Sequence, residues 1–190
     1  MAFDASKAIL RNNAGDPVPQ VWDDAGQAFV VYVSGKVVSA SQTRPANTTA
    51  YTALDVVGQD AAANIAFTSV LPNAGGTFVI FGARLRIDVA AIPAGMSSFR
   101  LHLYNAAPTA IVDNAAYNLP SGDRTKYLGY VEISGVLDIG DTLWIQATGV
   151  NFVGKLAAGS TSLWGILQTV SAYTPTASAV KTVMLNIAAV

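Results

Sequence analysis

The chain has 190 residues, a net charge of −1, one histidine and no cysteine. Disulfides and thiolate metal sites are therefore excluded, and the charge balance gives no electrostatic case for a nucleic acid or an anionic membrane. Charged residues make up 12% of the chain and hydrophobic ones 52%, with a mean hydropathy of +0.39, against roughly 25% charged in ordinary soluble domains. Either much of the surface is buried against copies of the chain or other subunits, or Ser, Thr, Asn and Gly cover it. No run approaches the ~18 apolar residues needed to span a bilayer, and the first residues, MAFDASKAILRNN, lack the unbroken apolar stretch of a signal peptide.

In chain order, DASKAILR (4–11) is a short helix candidate. AFVVYV (28–33) and KVVSAS (36–41) flank Ser34-Gly35, a spacing that suits a tight hairpin. A polar segment follows, and QDAAAN (59–64) is a candidate helical turn. IAFTSV (65–70) is a strand closed by a Pro-Asn-Ala-Gly-Gly turn. TFVIFGARLRIDV (77–89) alternates strongly: Val79, Phe81, Ala83, Leu85, Ile87 and Val89 on one face, Ile80, Arg84, Arg86 and Asp88 on the other. Gly82 marks a bulge or bend within it. SFRLHLYN (98–105) places Phe99, Leu101 and Leu103 inward. KYLGYVEIS (126–134) places Val131 and Ile133 inward, and DTLWIQATG (141–149) does so with Leu143, Ile145 and Ala147. TSLWGILQTV (161–170) and VKTVMLNIAA (180–189) complete the chain. Period-two alternation implies antiparallel sheets with one buried face. The expected fold is an all-β antiparallel β-sandwich of jelly-roll type with an N-terminal arm and hairpin. An immunoglobulin-like sandwich is the alternative. The expected divisions are an arm and hairpin at 1–36, an extended strap at 37–58 and the sandwich at 59–190.

The catalytic inventory is thin, and no enzymatic activity or cofactor is expected. His102 lies on the outward face of its strand beside Arg100, with no orienting carboxylate in its pattern, and reads as a surface histidine. Glu132 is the one glutamate. No G-x-S-x-G or phosphate loop occurs. Asp138 and Asp141 flank a turn and, with Asp123, are candidate calcium ligands; aspartates in turns more commonly bond their own backbone, and no metal site is assigned. Trp144 and Trp164 oppose the core-facing sets of their strands. They are candidate platforms for stacking on a glycan, or contacts to another sheet or subunit.

The polar segment SQTRPANTTAYTALDVVG (41–58) resembles a stretch of tailed-bacteriophage virion structural proteins of the form T-R-P-A-x-T-T-A-Y-x-x-x-D-V-V. The positions carrying it are Thr43, Arg44, Pro45, Ala46, Thr48, Thr49, Ala50, Tyr51, Asp55, Val56 and Val57. The upstream PQVWDDAGQAFVVYVSG is similar to the start of small head-associated proteins. The family pattern differs at Asn47, where it often has Asp, and near Leu54, where it has Gly. Pro45 biases Arg44 to an extended shape, and Asp55 is expected to start the first sandwich strand. The resemblance implies a capsid decoration or cement protein on the virion surface. Its partners would be the major capsid protein and copies of itself, with three-fold closure. Trp22, Phe29, Arg44, Pro45 and Tyr51 are the expected partner contacts. A tail- or fibre-associated protein and a glycan-binding module aiding host adsorption are the alternatives.

Overall fold

The computed structural model describes residues 21–22, 28–29, 35–59 and 64–190. The helix candidate at 4–11 and most of the turn at 59–64 lie outside them. The chain divides into two units, 1–34 and 35–190. In the first, β1 (Val21–Trp22) pairs antiparallel with β2 (Ala28–Phe29).

The second unit is built from β3 (Gly35–Thr43), β4 (Asn64–Phe67), β5 (Thr77–Ile87), β6 (Ser98–Tyr104), β7 (Tyr127–Ser134), β8 (Leu137–Asp138), β9 (Leu143–Ala147), β10 (Phe152–Lys155), β11 (Leu163–Thr169) and β12 (Val180–Ala189). One three-residue 3₁₀ turn, Ser121–Asp123, interrupts them. One sheet runs β3-β12-β5-β9-β8, with β10 also on β5, and the other runs β4-β11-β6-β7. Every pairing is antiparallel. Setting aside the short β8 and β10, the strands of one sheet are the first, eighth, third and sixth. Those of the other are the second, seventh, fourth and fifth. That order is a jelly roll, two interlocked Greek keys, and it sets aside the immunoglobulin-like arrangement.

The inner faces meet in one core. Phe99, Leu101 and Leu103 of β6, Ile133 of β7, Leu143 and Ile145 of β9, and Leu163 and Leu167 of β11 are all buried, as their alternation requires. Each contributes ~1.5–3 kcal/mol on burial. Strand β5 departs from the expected faces. Opposite β12, Asn186 pairs with Gly82 and Ile187 with Ile80, so Phe81 is an extra residue. This bulge shifts the phase by one. Phe78 and Ile80 are buried before it and Ala83, Leu85 and Ile87 after it, while Phe81 is 46% exposed. The inward assignment of Val79 and Phe81, and the outward one of Ile80, are thereby corrected. At Gly82 an added Cβ would stand 3.1 Å from the Asn186 amide, which suits glycine to the bulge.

The first strand of the hairpin expected across Ser34-Gly35, and Ser34 itself, lie largely outside the described residues. Strand β3 runs along β12 from Gly35 to Thr43, and β2 pairs with β1. Residues 35–43, divided in the sequence reading between arm and strap, are therefore the first sandwich strand. Asp55 does not start one.

Candidate functional site

Beyond β3 the strap turns inward. Arg44 donates its amide to Ala179 O at 3.0 Å, and its side chain is only 3% exposed. Its guanidinium gathers the next turn of chain around itself. Nε donates to the Tyr51 hydroxyl at 3.0 Å, Nη2 to Thr49 O at 2.8 Å, and Nη1 to Asn47 O. Residues 46–50, wrapped on the outside of this cation, are exposed, and Pro45 is half-buried. Tyr51 is buried, its ring 5.1 Å from that of Tyr173. Its hydroxyl donates to Asp113 Oδ1 at 2.6 Å, and Asp113 Oδ2 lies 3.8 Å from Arg44 Nε. Burial, with the Asp113 carboxylate beside it, pushes the Tyr51 hydroxyl well above the usual tyrosine range.

The network ends on a second buried cation. Lys181 faces inward from β12, opposite the buried Gln42 and Ile87. Its ammonium donates to Gly58 O at 2.8 Å, while Gly58 N donates to Asp113 Oδ1 at 2.8 Å. Burial lowers the Lys181 pKa to about 8; Asp113 opposes the shift and Arg44 adds to it. Asp55 is buried as well, and accepts from Thr52 N at 2.6 Å and Thr52 Oγ1 at 2.9 Å.

The strap continues over the outer face of the β4-β11-β6-β7 sheet. Val56 N donates to Ala115 O, Val57 N to Leu167 O, and Tyr117 N to Leu54 O. Together the strap and the connection 105–126 cover that face. Beneath them Val56, Tyr104 and Ile166 form a second apolar cluster, flanked by Tyr117, Tyr127 and Trp164. His102 is part of this covered layer and is 5% exposed, which corrects the surface reading. Its ring stacks on Tyr117 with centroids 3.8 Å apart. Gln168 donates through Nε2 to Leu54 O at 2.9 Å, which turns its Oε1 toward His102 Nε2 at 3.1 Å. His102 Nε2 therefore carries the proton, and Nδ1 accepts from the Tyr127 hydroxyl at 3.1 Å. Burial lowers the His102 pKa; Gln168 opposes this and Arg100 adds to it.

The other expected residues are distributed as follows. The side chains of Trp22 and Phe29 lie outside the described residues. Arg44 and Tyr51 are buried within their own chain and so are not exposed contacts; they shape the exposed 46–50 loop. Trp164 pairs across strands with Tyr104 and Ala66 under the covered face. Trp144 stands on the outer face of the other sheet, opposite Arg86, so the two tryptophans belong to different surfaces. Asp138 accepts from Gly140 N at 2.9 Å, the local turn bond expected of it. Asp123 accepts from Lys126 Nζ at 2.8 Å and Thr109 N at 2.7 Å, and these partners hold its carboxyl down to about 2. Among the described residues no three acidic, histidine or cysteine side chains gather as metal ligands.

Sequence reasoning missed Asp113, Lys181, and the Tyr117 and Tyr127 that hold His102, one by stacking and one by a hydrogen bond. Lys181 did carry a signal: it falls in phase with Val183, Leu185 and Ile187 on the buried face of its strand.

No family model and no curated protein matches the sequence. Solved structures similar to it come from virus particles. They include Israeli acute paralysis virus heated to 63 degrees, at 14% identity over 82% of this chain and 74% of that one, TM-score 0.30. Native Kashmir bee virus at neutral pH gives 16% identity over 82% and 72%, TM-score 0.28. Mud crab tombus-like virus gives 14% over 98% and 93%, TM-score 0.27. Likenesses this slight carry no argument, and the fold rests on the strand order itself.

Proposed function

We propose that the protein is a non-enzymatic virion structural protein, a decoration or cement protein that binds a major capsid protein and copies of itself. The observation that carries this reading is an eight-stranded jelly roll preceded by a separate N-terminal unit, 1–34. Capsid domains are among the proteins built on this fold. Because a fold hosts many functions, the low charge content and the resemblance of the 41–58 segment supply the rest of the support. In this reading the arm, with Trp22 and Phe29, and the 46–50 loop beside Pro45 contact neighbouring capsid subunits. Each ~1,000 Å² of apolar area so buried is worth roughly 25 kcal/mol before the costs of ordering and association.

The test is co-sedimentation of the full chain with particles from a virus lacking its gene, with immunogold labelling of the pellet. Saturable binding over the whole head surface is expected. Protein left in the supernatant at saturating concentration would overturn the reading. Label confined to the tail would replace it with the tail- or fibre-associated alternative.

A further inference from the structure

The two outer faces of the sandwich differ. One is covered by the strap and by 105–126. The other, on β3-β12-β5-β9, has no such cover among the described residues. Residues directly opposite across antiparallel strands share a face, and here the registers align a polar row. Ser41 is opposite Thr182, Thr182 opposite Arg86, and Arg86 opposite Trp144. In the next row Arg84 stands opposite Gln146.

The charges on this face are unbalanced. Arg86 pairs with Asp88, Nε to Oδ1 at 3.0 Å, at the margin of the face. Arg84 has no carboxylate partner among the described residues. Its Nη2 donates to the neutral Asn186 Oδ1 at 2.6 Å, and its Nε is shielded and unbonded. Its guanidinium carbon lies 6.0 Å from the centroid of the half-buried Trp144 indole. The exposed Ser41 hydroxyl, 2.8 Å from that of the buried Thr182, and the exposed Gln146 amide lie on the same face.

We infer that this face binds an acidic saccharide. A guanidinium without a counter-ion supplies the partner for a sulfate or carboxylate. The indole offers an apolar platform with a polar edge, and the amide and hydroxyls can both donate to and accept from sugar hydroxyls. A neutral sugar would leave Arg84 without its anion, and an acidic peptide would make no use of the platform. The inference stands apart from the capsid reading: a protein that fails to bind capsids could still bind sugar here.

Calorimetry of the full chain tests it, with sucrose octasulfate and 3′-sialyllactose as acidic probes, sucrose and lactose as neutral counterparts, and tetraglutamate as a charge control. At least one acidic sugar should bind at millimolar concentration or tighter, with its neutral counterpart and tetraglutamate at least ~10-fold weaker. Which probe binds distinguishes sulfate from carboxylate recognition. Arg84→Gln and Trp144→Leu should each weaken binding by ~10-fold or more, and Trp164→Phe should not. Should either of the first two fail to melt cooperatively, the exposed Gln146→Ala serves in its place, with a weaker loss expected. Binding of neither acidic sugar, equal binding of tetraglutamate, or unchanged affinity in the folded variants would overturn the inference.

Discussion

Lys181 sets the pH dependence of stability on the alkaline side. Its ammonium is 4% exposed, with a pKa of about 8 against an ordinary 10.5. Between those values the unfolded chain holds a proton that the folded chain has released, so stability rises with pH. The rise starts near pH 8. From pH 7 to pH 9 it spans about one pKa unit, worth about 1.4 kcal/mol. For a chain of this size that is a Tm increase of ~3–6 °C. Tyrosines oppose it further up. Tyr51, Tyr104, Tyr117, Tyr127 and Tyr173 all have hydroxyls pushed above the usual value of 10.0 by burial. The folded state therefore holds protons that the unfolded state loses above pH 10, and stability falls there. A maximum between pH 9 and 10 is the result. Thermal melts in matched ionic strength at pH 7, 8 and 9 measure this for the parent and for Lys181→Met. The variant keeps most of the side chain's length but not its charge, and leaves Gly58 O without that donor. The parent-minus-variant difference should grow by about 1.4 kcal/mol from pH 7 to 9. A parent curve parallel to that of the variant would refute the buried, proton-releasing lysine.

Three further outcomes are expected. His102 is held neutral by burial, so the parent should lose stability as pH falls below 6.5, and His102→Gln should not; parallel urea melts from pH 7 to 5 would count against the covered histidine. Leu54 sits at φ 72° on an exposed turn, where an L-residue costs roughly 1–2 kcal/mol. Leu54→Gly should therefore stabilise by ~0.5–1 kcal/mol after glycine's own entropic cost, and a lower melting temperature would contradict that backbone. Gly95 has φ 90°, and an added Cβ would lie 2.4 Å from Ala172 O; Gly95→Ala should cost ~3 kcal/mol, and a cost under ~1 kcal/mol would show that the 93–96 turn can move aside.

The sandwich was legible because period-two alternation is a local signal. Phe99, Leu101 and Leu103, or Leu143 and Ile145, reveal their buried face without knowledge of their neighbours. The one phase error, at Val79, Phe81 and Ile80, came from a bulge whose cause lies across the sheet in the register of Asn186 and Ile187. Gly82 hinted at its place but could not show which residue was extra. Strand pairing was less legible than strand identity. Strand β3 pairs with a strand at the far end of the chain, and such a choice is made by the whole fold. The polar sites were the least legible. His102 alternates outward as a surface residue would. Only the length of the 105–126 connection, beyond the ~12–15 residues usual for a plain loop, indicated that something would cover it.

The segment 41–58 divides by role once its contacts are known. Arg44, Tyr51 and Asp55 hold the fold: one cation gathers the loop, one phenol joins it to Asp113, and one carboxylate closes the turn at Thr52. Val56 and Val57 close the apolar layer over the second sheet and the top of the core. Ala46 through Ala50 contribute little to either and are presented outward. The residues that make the stretch recognisable therefore fall in both parts, Arg44, Tyr51, Asp55, Val56 and Val57 in the buried platform and Ala46, Thr48, Thr49 and Ala50 in the exposed loop. Replacing Arg44 with lysine would keep the charge but lose the fork that holds both Asn47 O and Thr49 O, so the loop would lose its shape while the core beneath it kept its packing. The segment thus combines a buried clamp with an exposed loop, and the clamp fixes the shape that the loop presents to solvent.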